Sequence, residues 1–413
     1  MSTHLDINEL IYDWNTAGNG SPAGIIEIEF DDETLRDGLQ SPSVKDPSIE
    51  EKKEILHLME DIGIHSADVG LPGAGSRARD DAEALIQEIA DNKMKITPNC
   101  AARTLLADVT PVVELSQKVG IPVECCTFIG SSPIRLYAEE WTLEQMVEHT
   151  VEAVSYAVKE GIPTSFVTED TIRAKPETLS ALFDAAIDNG ATRLVLCDTC
   201  GHATPRGVHN LVNWTKEFID KKGVKLKIDW HGHRDRGLAL PNALAAIEAG
   251  VDRVHGTAMG IGERVGNLPM DMLLVNLKLL GLIDNDLTRL PEYVQKTSEY
   301  TGITLAPNYP VVGEDAFRTG TGVHAAAVIK AEIKGDKWLA DRIYSGVPAG
   351  MVGRHQVIDV GPMSGKSNVI YWLNSEGIEP SDDIVDAVFD LAKSSDRILS
   401  REEILGVVEK TTS

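Results

Sequence analysis

Between Gly24 and about residue 282 the chain alternates short β-prone runs with helical patterns, and this rhythm limits the possible folds more than any other feature. The strand-like runs are Ile25–Phe30, Ile64–Val69, Lys93–Pro98, Pro122–Phe128, Pro163–Val167, Thr192–Cys197, Lys225–Trp230 and Val251–His255. Each is followed by a stretch whose apolar residues recur at helical spacing, from Pro47–Ile62 after the first to Leu268–Leu280 after the last. Eight such units over roughly 250 residues predict an α/β fold, a closed (β/α)8 TIM barrel. A doubly wound open sheet rarely needs eight.

After residue 282 the rhythm breaks. Leu290–Thr301, Val323–Ile333, Asp382–Ser394 and Ser400–Thr411 keep helical patterns, the last opening on a Ser400-Arg-Glu-Glu403 capping box. Pro307–Gly322 and Tyr344–Lys366 are rich in glycine and proline and read as loops. The expected organisation is a polar arm over 1–23, a barrel over 24–282, and small, mainly helical C-terminal subdomains over 283–413.

The net charge of −25 argues against nucleic acid as a partner, although a local arginine cluster can still hold a small anion. No apolar run is long enough for a membrane span, and the N-terminus lacks a basic-then-apolar signal pattern. Five cysteines in 413 residues are too few for a disulfide framework. The expectation is a cytoplasmic enzyme acting on small molecules.

A barrel of this kind builds its active site from the loops that follow its strands. Those loops hold Arg36 and Asp37, Asp68, Glu169, Thr199, and the run Gly260–Asn267. The most informative stretch is Asp229-Trp-His231-Gly-His233. Side chains two apart on a strand share a face, so His231 and His233 make half of a metal site. Taken alone the pair is equally well read as ordinary polar residues at a strand end. With Asp37, and the Asn267 amide as a further candidate, it becomes an oxygen and nitrogen donor set without sulfur, which suits Mg²⁺, Mn²⁺ or Zn²⁺. Open positions on such an ion would take a 2-oxo acid through its keto oxygen and carboxylate. Two other motifs are weaker. Cys197-Asp-Thr-Cys200 has no second pair, and Gly260-x-Gly262-x-x-x-Gly266 has the wrong spacing and place for a dinucleotide loop.

Thr34-Leu-Arg-Asp-Gly-Leu-Gln-Ser-Pro, His231-Gly-His233 and Gly262-Glu-Arg-Val-Gly-Asn267 together resemble the DRE-TIM metallolyases. Within that family the chain is most similar to the Claisen-condensing acyltransferases, those making 2-isopropylmalate first, then homocitrate and citramalate. The resemblance implies metal binding by Asp37, His231, His233 and Asn267, with Arg36 steadying the keto oxygen or a forming enolate. It implies that Thr199 touches substrate and that Glu169 stands near the reacting centre; Asp68, after the second strand, is a further substrate-binding candidate. Acetyl-CoA would be the co-substrate and 2-oxoisovalerate the expected acceptor, in leucine biosynthesis. Gly320-Thr-Gly-Val-His324 and Tyr344 resemble segments that a partner subunit supplies, implying a homodimer with shared sites. Arg234 and Arg236 would meet CoA phosphates or an acceptor carboxylate, or else form salt bridges only. Three departures bear on the reading. Leu39 stands where condensing members usually have Glu, which is the lyase pattern, and Arg234 replaces the usual Asn. The third is the end at residue 413 without a C-terminal regulatory domain, which implies no leucine feedback through one.

Overall fold

The computed structural model describes residues 10–15 and 24–412. The expected N-terminal arm therefore lies outside the described residues, apart from Leu10–Asn15. The described residues divide into two compact units, one ending at Asp286 and the other starting at Leu287.

The first unit is a closed barrel of eight parallel strands, each paired with its sequence neighbours and the last with the first. The strands are β1 (Glu29–Asp32), β2 (Ser66–Asp68), β3 (Thr97–Arg103), β4 (Glu124–Gly130), β5 (Thr164–Glu169), β6 (Arg193–Asp198), β7 (Lys227–Gly232) and β8 (Arg253–Gly256). Closure is fixed by the β1–β8 register, in which Glu29 faces Arg253 and Asp31 faces His255. Helices between the strands start and stop on local signals. Ser48 and Thr142 form capping boxes at the helices Ile49–Asp61 and Leu143–Lys159. Gly120, Gly223 and Gly250 end others in the left-handed conformation, which a residue without a Cβ adopts most easily.

The third strand was expected at Lys93–Pro98 and stands at Thr97–Arg103. Lys93 is in the left-handed region at φ 53°, where it ends the preceding helix Ser76–Asn92, so the run after it is a helix exit. The first strand likewise begins later than expected, at Glu29. A further helix, Pro133–Glu139, occupies what reads in sequence as a loop after β4.

Alternation along the strands sorts the chemistry. Phe30, Ala67, Cys100, Phe166, Leu194, Trp230 and Val254 are buried at alternate positions. Between them, Asp31, Ser66, Glu124, Ser165, Arg193, Asp229, Arg253 and His255 bond to one another within the barrel. Arg253 bonds Asp229 at 2.7 Å and Glu124 at 2.9 Å, and Arg193 bonds Asp229 at 2.5 Å. The interior is therefore ionic where many barrels are packed with branched aliphatics.

The second unit has its own cores. Ala325, Val328, Ala331, Ala340 and Ile358 form one, and Val369, Leu373, Val388 and Ile404 belong to another. The Ser400 capping box forms, with the Ser400 amide donating to Glu403 at 2.8 Å. Features beyond the sequence reading include helices at Lys337–Ala340 and Lys366–Ser375, and a short pairing of Arg318–Thr319 with Val357–Ile358.

Removing one partner of a buried ion network leaves the others desolvated and unpaired. Arg253→Met is predicted to lower the unfolding free energy by about 3–5 kcal/mol in urea denaturation, and a loss under about 1 kcal/mol would contradict this. Burial opposes ionisation of Glu124, but Arg253 outweighs it and holds the carboxyl below its ordinary 4.5. Its contribution is therefore present above about pH 4.5 and lost as pH falls through the lower folded value. Glu124→Gln should flatten the acid limb of stability against pH. An unchanged acid limb would show that Glu124 is not coupled to folding.

Candidate active site

The inward faces of the strands and the loops above them enclose a cavity of about 280 Å³. Of the sequence-predicted residues, Arg36, Asp37, Asp68, Glu169, Thr199, His231 and His233 line it. A tight turn after β1 delivers Arg36 and Asp37, with the Gly38 amide donating to the Glu33 carbonyl at 2.9 Å. The Thr34 hydroxyl ties this turn to the loop after β8 by accepting the Ala258 amide at 2.8 Å.

Asp37, His231 and His233 converge, with their potential ligand atoms all within 4.8 Å of one another. Asp37 Oδ2 lies 3.6 Å from Nε2 of both histidines. Glu33 Oε2 stands 2.8 Å from His231 Nδ1, on the side of the ring away from Asp37. Burial first, and then the neighbouring His231, push the His233 imidazole down to about 4, so it is neutral near pH 7. Backbone bridging sets Asn267 beside His233. Its Nδ2 donates weakly to the Ile261 carbonyl at 3.5 Å, while Oδ1 is buried with no hydrogen-bond partner.

This arrangement fits a divalent cation. The cluster combines a carboxylate and two imidazoles, all buried and without sulfur, and the unpartnered amide oxygen belongs to the residue bridged to His233. Glu33, His231 and His255 make a second cluster of similar compactness. There His255 is already bonded to Glu33 at 3.0 Å and Asp229 at 3.1 Å. Burial opposes its charge, but Asp31, Asp229 and Glu33 prevail and lift it to about 10. With both ring nitrogens of His255 engaged by carboxylates, the Asp37 cluster is the candidate metal centre.

Arg36 Nε donates to Asp68 at 2.6 Å, and the guanidinium also meets Glu33 at 3.1 Å and Asp37 at 3.8 Å. Burial raises the Asp68 carboxyl to about 7 despite this arginine. Burial also raises Glu169 above its ordinary value, opposed by Arg135 at 3.6 Å. The Thr199 hydroxyl accepts the Asp170 amide at 2.8 Å.

Arg234 and Arg236 both donate to backbone carbonyls. Arg234 donates to the carbonyls of Val265 and Met259, and Arg236 to that of His202. Arg234 thus pins the Gly260–Asn267 loop, where a side chain at Gly266 would collide with the Gly260 carbonyl. Leu39 faces a neighbouring cavity with Leu71 and Arg77, while Gln40 faces the central one. Cys197 and Cys200 are free thiols, as are the other three cysteines. His324 and Tyr344 belong to the second unit, where their rings stack 4.2 Å apart.

Sequence reading assigned no role to Glu33, Asn99, Ala101, Phe128 or His255, which also line the cavity. The signal was available in the two-residue step that carries Asp229 to His231 to His233 and Arg253 to His255.

Comparison with known proteins identifies the family of the chain. The family model described as HMGL-like matches residues 27–296. Homocitrate synthase AksA of Methanopyrus kandleri is 33% identical, covering 89% of this chain and 87% of that protein. The 2-isopropylmalate synthase of Methanocaldococcus jannaschii is 32% identical, covering 87% of this chain and 65% of that protein. Among solved structures, an HMG-CoA lyase of Bacillus subtilis shares the fold at a TM-score of 0.56 and 20% identity, over 68% of this chain and 96% of that one. Matched across the whole barrel by the family model, and along most of its length by these synthases, the chain belongs to the HMGL-like, or DRE-TIM, family.

Proposed function

We propose that this protein is an acyltransferase that condenses acetyl-CoA with a 2-oxo acid, 2-oxoisovalerate being the expected acceptor, to give a 2-alkylmalate and free CoA. The observation that carries the reading is the buried Asp37, His231 and His233 cluster with Arg36 beside it, at the mouth of the barrel. The relatives named as 2-isopropylmalate and homocitrate synthases, at 32–33% identity, support condensation over cleavage, the lyase structure being matched at 20%. Leu39, the one lyase-like residue, does not line the central cavity.

Asp37, His231, His233 and Asn267 would hold Mg²⁺, Mn²⁺ or Zn²⁺, which when bound supplies a Lewis acid for the acceptor's keto oxygen. Glu33 keeps His231 turned so that Nε2 faces the cavity. Arg36, whose charge is fixed and whose position is held by Asp68 and Glu33, stabilises negative charge as it develops on oxygen. Thr199 and Asp68 contact the acceptor, and Glu169, whose carboxyl burial raises above its ordinary value, stands near the thioester. His324, paired with Tyr344, is the base that takes a methyl proton from acetyl-CoA. The resulting carbanion forms a carbon–carbon bond to the keto carbon, and the alkoxide takes up a proton. Water then hydrolyses the thioester, releasing CoA. His324 and Tyr344 come from the partner protomer of a homodimer. Five free cysteines suit a reducing compartment, and we place the enzyme in the cytoplasm.

Chelation should abolish CoA release, and one of the three ions should restore it. His233→Ala should lower bound metal from about one per chain towards zero by elemental analysis, and lower turnover by roughly 100-fold or more. Full activity after chelation would refute a metal-dependent step. Mixing two inactive variants, Asp37→Ala and His324→Ala, should recover activity, because a heterodimer has one intact composite site. Heterodimers that form and remain inactive would show that the sites are not shared.

A further inference from the structure

The loop after β8 is wound tightly. Met259, Gly260, Arg264 and Gly266 all lie in the left-handed half of backbone space, at φ 55°, 63°, 57° and 105°. Met259 and Arg264 are not glycines, so this conformation persists only where the surrounding contacts impose it. The loop passes over itself at Gly260 and Gly266, where a Cβ on Gly266 would stand 1.9 Å from the Gly260 carbonyl oxygen. Asn267 follows at once, its backbone amide donating to that same oxygen at 3.0 Å.

Arg234 sits on this crossing. Its Nε donates to the Val265 carbonyl at 2.6 Å and its Nη1 to the Met259 carbonyl at 3.1 Å. One guanidinium therefore holds the residue that precedes each of the two crossing glycines. The Arg234 backbone amide adds a bond to the Gly266 carbonyl at 3.0 Å. A planar fork supplies two such donors in fixed geometry, which a side chain with a single donor group does not reproduce. The stapled loop brings Asn267 into a backbone bridge with His233 and leaves Asn267 Oδ1 buried and unpartnered. An amide oxygen kept out of water without a donor is costly unless another group takes it up. Other ties also hold the loop. The Ala258 amide donates to the Thr34 hydroxyl and the Met259 amide to Asp271, each at 2.8 Å, and Arg264 bonds Asp235 at 2.8 Å. Losing Arg234 would thus loosen the crossing without releasing the whole loop.

We infer that Arg234 is a positioning residue for the metal centre: by stapling the crossing it presents the Asn267 amide oxygen to an ion held at Asp37, His231 and His233. The inference rests on the reading that Asn267 joins those three in holding the metal. His233 and Arg234 then act in tandem, the first as a ligand and the second as the holder of another ligand. Because Arg234 acts through Asn267, its effect on metal binding should vanish once the Asn267 oxygen is gone. A role confined to stability would show no such dependence.

The test titrates the full chain with Mn²⁺, without substrate, and follows the free ion by electron paramagnetic resonance. Arg234→Gln should weaken binding by about 10- to 100-fold, the range for losing a residue that orients a metal ligand. Arg234→Lys, which keeps the charge but not the fork, should fall between that variant and the wild type, and it carries the test should the Gln variant unfold. Asn267→Ala should weaken binding to a similar degree, and adding Arg234→Gln to it should cost less than about threefold more. With Co²⁺ as the probe, the visible absorption spectrum of Arg234→Gln should move towards that of Asn267→Ala. Losses that multiply in the double variant would overturn the inference alone, as would full affinity in both Arg234 variants while Asn267→Ala is impaired. Full affinity in Asn267→Ala would overturn the Asn267 assignment and this inference together. Wild-type protein that binds no Mn²⁺ would overturn the metal-centre reading itself.

Discussion

Charge inside the barrel has to be compensated by charge inside the barrel, and most of the structure follows from that requirement. Arg253 and Arg193 stand between Asp229, Glu124 and Glu29, and His255 carries the chain of contacts upward to Glu33. Desolvation makes each of these groups costly alone, and only the complete set is tolerable. The same contacts leave a rigid polar pedestal under the mouth of the cavity. Glu33 is its topmost member, reaching His231 on one side and Arg36 on the other. The residues proposed to do chemistry are thus oriented by groups whose own positions are over-determined.

Strand period explains why one short sequence can serve both stability and function. On β7, Ile228 and Trp230 are buried at the alternate positions, while Asp229 joins the network and His231 and His233 reach the cavity. That stretch was legible because its polar residues are bulky and the alternation is unbroken. On β3 it was not. Asn-Cys-Ala-Ala is weak in β propensity, and Lys93–Ile96 looks more strand-like than the strand that follows. The cost of that misreading was Asn99 and Ala101, one an inner-face hydrogen-bond donor to Asp31 and the other part of the cavity lining.

Other features were beyond local reading for physical reasons. Nothing in a strand's own pattern says which of two neighbouring carboxylates, Asp37 or Glu33, faces a histidine pair, since that depends on a turn and on the carboxylates that engage His255. The contacts of Arg234 depend on where a glycine-bearing loop from β8 comes to rest, and that of Arg236 on the loop after β6. Even the Gly260-x-Gly262-x-x-x-Gly266 pattern proves to be steric: close passage of the backbone over itself excludes a side chain at Gly266. His324 and Tyr344 carry no local mark of chemistry beyond their stacking, and their assignment rests on the family resemblance.

The central claim is that the polar inner face ends in a metal centre at Asp37, His231 and His233. The most direct measurement is anomalous diffraction from crystals grown with Mn²⁺ and 2-oxoisovalerate. The account predicts a single strong peak bounded by those three side chains and the Asn267 oxygen, with the acid completing the coordination. A peak between Glu33 and His255, or a cavity that stays without metal at saturating Mn²⁺, would contradict it.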